Sequence, residues 1–311
     1  MRSNDSSGPG YAPEWQEFTT ELGDSLLMRG KTYDFPSPDK SVTTEDIMLK
    51  DGVRVRTNTP PGTDITTTTT DIGNGKEEVT VFMHGGGWIM GSVEHEDTAV
   101  RKLCKAVGHK THFASTVSSV SLMGGSAGAN LAFGVALRLL DSGRGDTLEG
   151  VRALVPCAVH PDEVPESRRG QFTAYEENAE ATANTSACMR CYLESYGPPP
   201  GDIYFSVLLH PRIGELKKVY IVECGTDTLR DDARLMRDAL VEKGGKVRYD
   251  AYPVFPHYFW SYPAKALEEV SRVFYGNIKY VSGFWSGYMS ECKLGYEANE
   301  HFETAFNSTQ I

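Results

Sequence analysis

Two glycine-rich motifs, each preceded by a run of strand-forming residues, constrain this chain more than any other feature of its sequence. The first, His-Gly-Gly-Gly-Trp at residues 84–88, follows the apolar run at 79–83. Consecutive glycines weaken both helices and strands, so they indicate a loop whose backbone N–H groups approach another group closely. The second, Gly-Gly-Ser-Ala-Gly at 124–128, lies between an apolar run and a helical segment. It has the Gly-x-Ser-x-Gly pattern of a strained turn that holds the Ser126 hydroxyl out above a sheet.

Four segments of the sequence together resemble the hormone-sensitive-lipase-like group of carboxylesterases, which are α/β-hydrolases. They are the two glycine motifs, the segment 225–232 that contains Asp227, and the segment 256–260 that contains His257. The resemblance extends from about residue 11 to about residue 274. It is greatest to fungal members, some of which serve secondary metabolism as acetate esterases.

The resemblance implies a catalytic triad and an oxyanion hole. Ester hydrolysis needs an activated nucleophile and donors for the negative charge that forms on the carbonyl oxygen. Ser126 is the predicted nucleophile, His257 the base that takes its proton, and Asp227 the carboxylate that orients the imidazole. This order along the chain is that of α/β-hydrolases. The predicted oxyanion hole consists of the backbone N–H groups of Gly86, Gly87 and Ala127.

Some of these assignments have competitors. Asp231 and Asp232 follow Asp227 closely, and either could instead cap the helix that begins there, which is a common use of Asp. We favour Asp227 because it directly follows a strand and a glycine turn. Aromatic residues beside the motifs are candidates for substrate contact, although aromatic side chains also serve as packing. These candidates are Trp88, Phe259 and Trp260.

The composition argues against several classes of partner. The formal net charge of −11 disfavours binding to nucleic acid or to an anionic membrane, since both need clustered Lys and Arg. Without an N-terminal apolar segment or a run of membrane-spanning length, we expect a cytoplasmic protein that does not insert into membranes. Six scattered cysteines favour free thiols, and the single Cys-x-x-Cys at 188–191 has no second pair. We predict no metal site and no organic cofactor, because the triad mechanism calls for neither.

Strand-like and helix-like segments alternate along the chain, which predicts an α/β-hydrolase fold with a mostly parallel sheet and helices on both faces. We expect a single domain over residues 1–311. The resemblance implies a small helical cap from residues 11–35 and 162–200, and the tail at 280–311 is expected to be irregular. The continuous apolar run at 151–159 predicts a strand buried on both faces.

The interval before the serine turn is short for this fold. A parallel crossover takes about a dozen residues or more. The 42 positions from His84 to Ser126 hold one helix and little else, where the family has a further strand, loop and helix. Either the sheet lacks one strand–helix unit or the reading frame has lost coding sequence. In both cases apolar surface of the neighbouring strands and helices would be left uncovered.

The leading functional hypothesis is a serine carboxylesterase that hydrolyses short-chain or acetyl esters of a small organic molecule. A catalytically impaired protein that binds small molecules on a hydrolase scaffold is an alternative. The short interval favours this alternative, and the presence of His257 favours the enzyme. An amidase or lactonase with the same triad also fits, because leaving-group preference depends on the shape of the pocket. The oligomeric state does not follow from the sequence.

Overall fold

The computed structural model describes residues 10–22, 37–62, 78–107, 119–181, 183–262 and 264–285. In this part of the chain a two-stranded antiparallel hairpin, β1–β2, accompanies a five-stranded sheet of order β3-β4-β5-β6-β7. Every neighbouring pair in the larger sheet is parallel, which confirms the predicted architecture. The strands are β1 (Thr43–Met48), β2 (Arg54–Thr59), β3 (Glu78–Met83), β4 (Ser119–Gly125), β5 (Leu148–Leu154), β6 (Val219–Cys224) and β7 (Val247–Tyr252). The helices are α1 (Pro13–Leu22), α2 (Asp97–Val107), α3 (Ala127–Asp141), α4 (Glu166–Arg169), α5 (Ala174–Glu177), α6 (Ser186–Tyr196), α7 (Arg230–Glu242) and α8 (Glu268–Trp285).

The five-stranded sheet separates two apolar cores, because successive residues of a strand point to opposite faces. Leu122 and Ile221 pack on one face with residues of α3 and α7. Their neighbours in sequence, Met123 and Val222, pack on the other face with residues of α1, α2 and α8. Both faces of the central strands are therefore buried, which explains why these strands read as continuous apolar runs.

The strand predicted at 151–159 is displaced in the structure. β5 begins three residues earlier and ends at Leu154. Val155 has φ 44°, which ends the extended conformation. The rest of the apolar run forms a buried loop, in which the N–H groups of Ala158 and Val159 donate to the carboxylate of Asp232 at 2.8 and 3.3 Å. A side chain therefore replaces the strand hydrogen bonds that these buried amides would otherwise need.

The segment 162–200 contains the short helices α4 and α5 and the longer helix α6, as the predicted cap requires. At the N-terminus, Trp15 and Phe18 of α1 pack on the ring of Tyr262, with centroids 5.2 and 5.3 Å from it. Residues 23–35 of the first predicted cap element lie outside the described residues. α8 continues to Trp285, so helix occupies the first six residues of the segment expected to be irregular, and residues 286–311 lie outside the described part.

β3 lies at the edge of the sheet in the described part of the chain, where its one strand partner is β4. A cavity of about 480 Å³ runs along this edge between β3, β2 and α2, and apolar side chains such as Val81 and Val100 line it. On α3, Leu131 and Val135 share one face and are each 39% exposed. An open strand edge beside an uncovered helix face is what the absence of a strand–helix unit would leave, and these features support that hypothesis.

Substitutions on the two faces of α3 are expected to differ sharply in cost. Phe133→Ala removes a fully buried ring and should lower the free energy of unfolding by about 3–5 kcal/mol. Leu131→Gln and Val135→Gln should each change it by about 0.5 kcal/mol or less, because both positions are exposed. Urea unfolding followed by circular dichroism measures both effects. A loss above about 2 kcal/mol for Leu131→Gln would mean that another segment covers this face, and would contradict the missing unit.

Candidate active site

The turn between β4 and α3 holds Ser126 in a strained conformation. Ser126 has φ 56° and ψ −121°, a region that L-residues rarely adopt. Its N–H donates to the carbonyl of Leu154 at 2.9 Å, which ties the turn to the end of β5. A Cβ added at Gly124 would lie 2.3 Å from the Gly128 oxygen, and one added at Gly128 would lie 2.0 Å from the Met83 oxygen. Glycine is required at both positions because the turn packs backbone to backbone against the end of β3.

The loop after β3 supplies the predicted oxyanion donors. Gly86, Gly87 and Trp88 have φ values of 111°, 58° and 63°, so three successive residues have positive φ. Glycine adopts such angles freely, whereas Trp88 does so at a cost that its surroundings must offset. The His84 Nδ1–H donates to the carbonyl of Gly85 at 2.7 Å, and this bond holds the start of the loop. His84 therefore has a structural contact within the loop.

Asp227 and His257 are brought together at the carboxyl ends of β6 and β7. The His257 Nδ1–H donates to Asp227 Oδ2 over 2.6 Å, and the Leu229 N–H donates to the other oxygen of the same carboxylate at 3.0 Å. Asp227 is fully buried. A Cβ added at Gly225 would lie 1.9 Å from the Pro253 oxygen, so the glycine lets the two loops touch. With Nδ1 bound to the carboxylate, Nε2 is the ring nitrogen that can accept a proton.

Asp231 and Asp232 serve other segments. Asp231 accepts from two N–H groups at the start of α5, at 2.7 and 2.8 Å, and pairs with Arg230 at 2.8 Å. Asp232 accepts from the Ala158 N–H in the loop after β5. Burial raises the pKa of Asp232 well above its usual value, which makes this residue a poor partner for a cation. The carboxylate that contacts His257 is therefore that of Asp227, and the two competitors stabilise backbone elsewhere.

The loop that carries His257 lies against the turn that carries Ser126. A Cβ added at Gly125, the residue before Ser126, would lie 1.7 Å from the hydroxyl oxygen of Tyr258, the residue after His257. In the part of the chain that the structure describes, the Ser126 hydroxyl itself makes no hydrogen bond. In enzymes without substrate the bond between serine and histidine is often long and shortens only in the complex.

Trp88 joins the loop after β3 to the cap. Its indole N–H donates to Asn130 Oδ1 at 3.2 Å, and its ring stacks on Tyr196 of α6 with centroids 5.3 Å apart. The ring of Phe205 lies 5.0 Å away on a tilted plane. Trp88 is therefore at the boundary between the loop and the cap, where contact with a substrate remains a prediction.

Phe259 and Trp260, the other two predicted contact residues, lie in the core. They are 0% and 2% exposed, and Trp260 stacks on Phe274 of α8 with centroids 4.2 Å apart. Burial of this extent leaves no surface for a ligand, so their role in the described structure is packing. For these two aromatic residues the structure supports packing, which the sequence analysis gave as the alternative to substrate contact.

Tyr192 of α6 is a pocket candidate that the sequence analysis missed. A Cβ added at Gly87 would lie 2.3 Å from Cγ of its ring, so the ring covers the middle of the predicted oxyanion loop. Burial raises the pKa of Tyr192. No motif marks this position, because the contact depends on how the cap helix packs over a loop that lies about a hundred residues earlier in the chain.

The described residues contain neither a group of three His, Cys, Asp or Glu side chains that could hold a metal ion nor a helix with the length and apolar character to cross a membrane. The five cysteines in these ranges form no disulfide: Cys104, Cys157, Cys188, Cys191 and Cys224. Cys188 and Cys191 are exposed on α6, and the other three are buried.

A family model described as the α/β hydrolase fold matches residues 108–261. Vibralactone cyclase superposes on the chain with a TM-score of 0.72 and 20% identity, covering 92% of this chain and 98% of its own. A fungal esterase from Rhizomucor miehei superposes with a TM-score of 0.68 and 15% identity, covering 91% of this chain and 100% of its own. At these identities the superpositions show a shared fold.

The FAD-linked oxidoreductase pytB of Aspergillus terreus is 52% identical over 275 aligned positions. The match covers 79% of this chain but 32% of that protein, so the chain spans about a third of its length. Because 79% of 311 residues is about 246, ~29 aligned positions of pytB have no counterpart here. That number of residues is sufficient for a strand and a helix.

The versiconal hemiacetal acetate esterase of Aspergillus parasiticus is similar along nearly its whole length. It is 40% identical over 313 aligned positions, which cover 86% of this chain and 96% of that protein. This similarity agrees with the parallel sheet and with the fold of the superposed structures. The chain therefore belongs to the α/β-hydrolase family of carboxylic ester hydrolases.

Proposed function

We propose that this chain is a serine carboxylesterase that uses Ser126, His257 and Asp227 to hydrolyse short-chain or acetyl esters of a small organic molecule. The observation that carries this proposal is the 2.6 Å contact between His257 Nδ1 and the buried Asp227 carboxylate, on a loop that touches the turn of Ser126. A carboxylate in this place fixes the tautomer in which Nε2 accepts the serine proton.

The proposed reaction has two stages. His257 Nε2 takes the Ser126 proton as Oγ attacks the ester carbonyl, and Asp227 stabilises the imidazolium that forms. The N–H groups of Gly86, Gly87 and Ala127 stabilise the oxyanion as it forms, and each lowers the activation barrier by about 2.7–4 kcal/mol. His257 next protonates the leaving alcohol, and a water molecule that it activates releases the acid from the serine.

The proposed substrate class is an acetate ester of a secondary-metabolite intermediate. The similar esterase of Aspergillus parasiticus is named for such a substrate, a hemiacetal acetate. The position of Tyr192 over Gly87 restricts the space beside the predicted oxyanion hole, which favours a small acyl group. The free cysteines of the described residues favour a reducing compartment, and we place the activity in the cytoplasm.

Hydrolysis of p-nitrophenyl esters from acetate to octanoate tests this function, together with labelling by a fluorophosphonate probe. We expect the highest kcat/KM with acetate and labelling of the wild type. The matched control is Ser142→Ala, which changes an exposed serine at the end of α3 and should leave both readouts unchanged. A wild type that neither hydrolyses the esters nor reacts with the probe would contradict the proposal.

A second candidate is a catalytically impaired scaffold that binds small molecules. Within the described ranges, the Ser126 hydroxyl makes no hydrogen bond and β3 pairs with one strand, and both observations favour this candidate. This protein would bind an aromatic acetate without hydrolysing it. Isothermal titration with such an ester, with product followed by chromatography, separates the two candidates, because only the enzyme releases acetate. A p-nitroacetanilide substrate in the same assay tests the amidase alternative.

Tyr192→Ala is expected to change the acyl-chain preference. Loss of the ring over Gly87 should raise kcat/KM for the hexanoate ester about tenfold relative to the acetate ester, because added methylene groups gain contact in the enlarged pocket. Tyr196→Ala on the same helix is the comparison, since that ring packs on Trp88. An unchanged ratio in Tyr192→Ala would show that this ring does not line the acyl site.

A further inference from the structure

The loop that carries His257 contains a buried hydroxyl that the proposed mechanism does not use. Tyr258 follows His257 and has φ 60° and ψ 26°, a left-handed conformation that is unfavourable for an aromatic residue. Its hydroxyl oxygen is shielded from solvent and has no well-aligned hydrogen-bond partner among the described residues. A strained backbone that buries an unsatisfied hydroxyl is costly, so its position is expected to have a purpose.

This hydroxyl lies between the two loops that would form the catalytic centre. A Cβ added at Gly125 would lie 1.7 Å from the Tyr258 hydroxyl oxygen, and one added at Gly85 would lie 3.0 Å from it. Gly125 precedes the predicted nucleophile, and Gly85 precedes the predicted oxyanion glycines. Side chains at either glycine would displace the tyrosine, so the two loops and the ring fit each other as a set.

The carboxyl group of Glu96, the residue before α2, contacts the same loop. Its Oε1 accepts from the Gly85 N–H over 3.4 Å. Burial raises the pKa of Glu96, and the nearby Tyr258 hydroxyl lowers it in part. Burial also raises the pKa of Tyr258 well above its usual value, so the phenol keeps its proton at neutral pH. In a bond between the two groups, the tyrosine would therefore be the donor and Glu96 the acceptor.

We propose that Tyr258 and Glu96 are positioning residues that hold the predicted oxyanion loop at its working distance from Ser126. Glu96 binds the loop at Gly85, and the Tyr258 hydroxyl lies against Gly125 near enough to Glu96 to donate to it after a small shift of either side chain. The pair thereby fixes a separation that neither loop determines alone. Oxyanion donors act over hydrogen-bond distances, so a displacement of about 1 Å is expected to cost up to about 100-fold in rate. This inference rests on the proposed esterase activity.

Removal of the hydroxyl tests the pair. Tyr258→Phe keeps the ring and should lower kcat for p-nitrophenyl acetate about 10- to 100-fold, with KM changed less than about twofold, because the loss appears in the transition state. Tyr262→Phe removes a hydroxyl four residues later, where the ring packs on Trp15, and should leave kcat unchanged. A kcat in Tyr258→Phe equal to that of the wild type would overturn the proposal.

Variants of Glu96 test whether Glu96 and Tyr258 act as a unit. Glu96→Gln keeps an acceptor and should retain kcat within about threefold, whereas Glu96→Ala should lose as much as Tyr258→Phe. The double variant should then be no slower than the slower single variant, because both substitutions break the same link. Multiplicative losses in the double variant would overturn the pairing.

Substitutions that exchange side-chain size between positions 125 and 258 test this inference independently of the proposed function. Gly125→Ala and Tyr258→Gly should each lower the melting temperature, and the double variant should lose less than the sum of the two, since glycine at 258 clears the space that the added methyl group needs. The melting temperature needs no activity, so the packing can be measured even if the wild type fails to react with the fluorophosphonate probe. Additive losses in the double variant would overturn the proposed fit, whereas an unreactive wild type would contradict only the esterase assignment.

Discussion

Ser126→Ala is expected to lower kcat for p-nitrophenyl acetate by about 10⁵- to 10⁶-fold, the loss typical of a serine hydrolase without its nucleophile. Alanine removes only the hydroxyl that attacks the carbonyl, whereas the backbone bond from residue 126 to Leu154 remains. KM should change little, because binding of the ester does not depend on the bond that forms in the transition state. Initial rates at saturating ester, with long incubation for the variant, measure the effect.

The control for this prediction is the melting temperature of the variant, which reports whether its fold is intact. Ser126→Ala should melt within about 3 °C of the wild type, because the hydroxyl makes no hydrogen bond in the described residues and its loss leaves a small cavity. It should also lose the fluorophosphonate label that the wild type acquires. Residual hydrolysis within tenfold of the wild type would place the nucleophile elsewhere and contradict the proposed triad.

Asp227→Asn is expected to lower kcat by about 10⁴-fold, the second largest effect among these substitutions. Asparagine can present an N–H to His257 Nδ1, which reverses the tautomer and places the proton on the nitrogen that should act as base. The neutral amide also removes the charge that stabilises the imidazolium. Rates measured from pH 6 to pH 9 should show the loss throughout this range, since the defect lies in the tautomer and not in one ionisation.

Asp231→Asn is the matched control for this substitution. Its carboxylate accepts from two N–H groups of α5 and pairs with Arg230, so its loss should lower the melting temperature and leave kcat within about threefold. The opposite pattern, in which Asp231→Asn is slow and Asp227→Asn is nearly normal, would contradict the assignment of the acid. These two variants therefore distinguish the carboxylates that the sequence left in competition.

The local motifs predicted which segments contain the candidate site residues. The glycines around Ser126 were informative because their role depends on neighbouring backbone, and the structure places the Met83 oxygen where a Cβ at Gly128 would lie. β6 at Val219–Cys224 is continuously apolar in sequence except for Glu223, as burial on both faces of a strand requires. The same signal failed for 151–159, because an apolar run cannot distinguish a strand from a buried loop whose amides bind a distant carboxylate such as Asp232.

The aromatic residues show a different limit. Phe259 and Trp260 lie within three residues of His257, the proposed base, and that proximity predicted contact with substrate. The 3₁₀ turn at Phe259–Ser261 instead directs both rings into the core beside α8. Tyr258, their neighbour, lies against Gly125 and Gly85, although its place in the motif at 256–260 predicted no role for it. Sequence proximity does not determine which of three adjacent side chains faces a site.

The order of elements, the parallel sheet, the strained serine turn and the family all follow from patterns that span a few residues each, because glycine geometry and burial periodicity are local properties. Which carboxylate meets His257, how Tyr192 covers Gly87, and how Tyr258 and Glu96 lie between two loops depended on the folded molecule. Each of these contacts joins segments distant in sequence, and its geometry depends on the packing of whole helices and strands against one another.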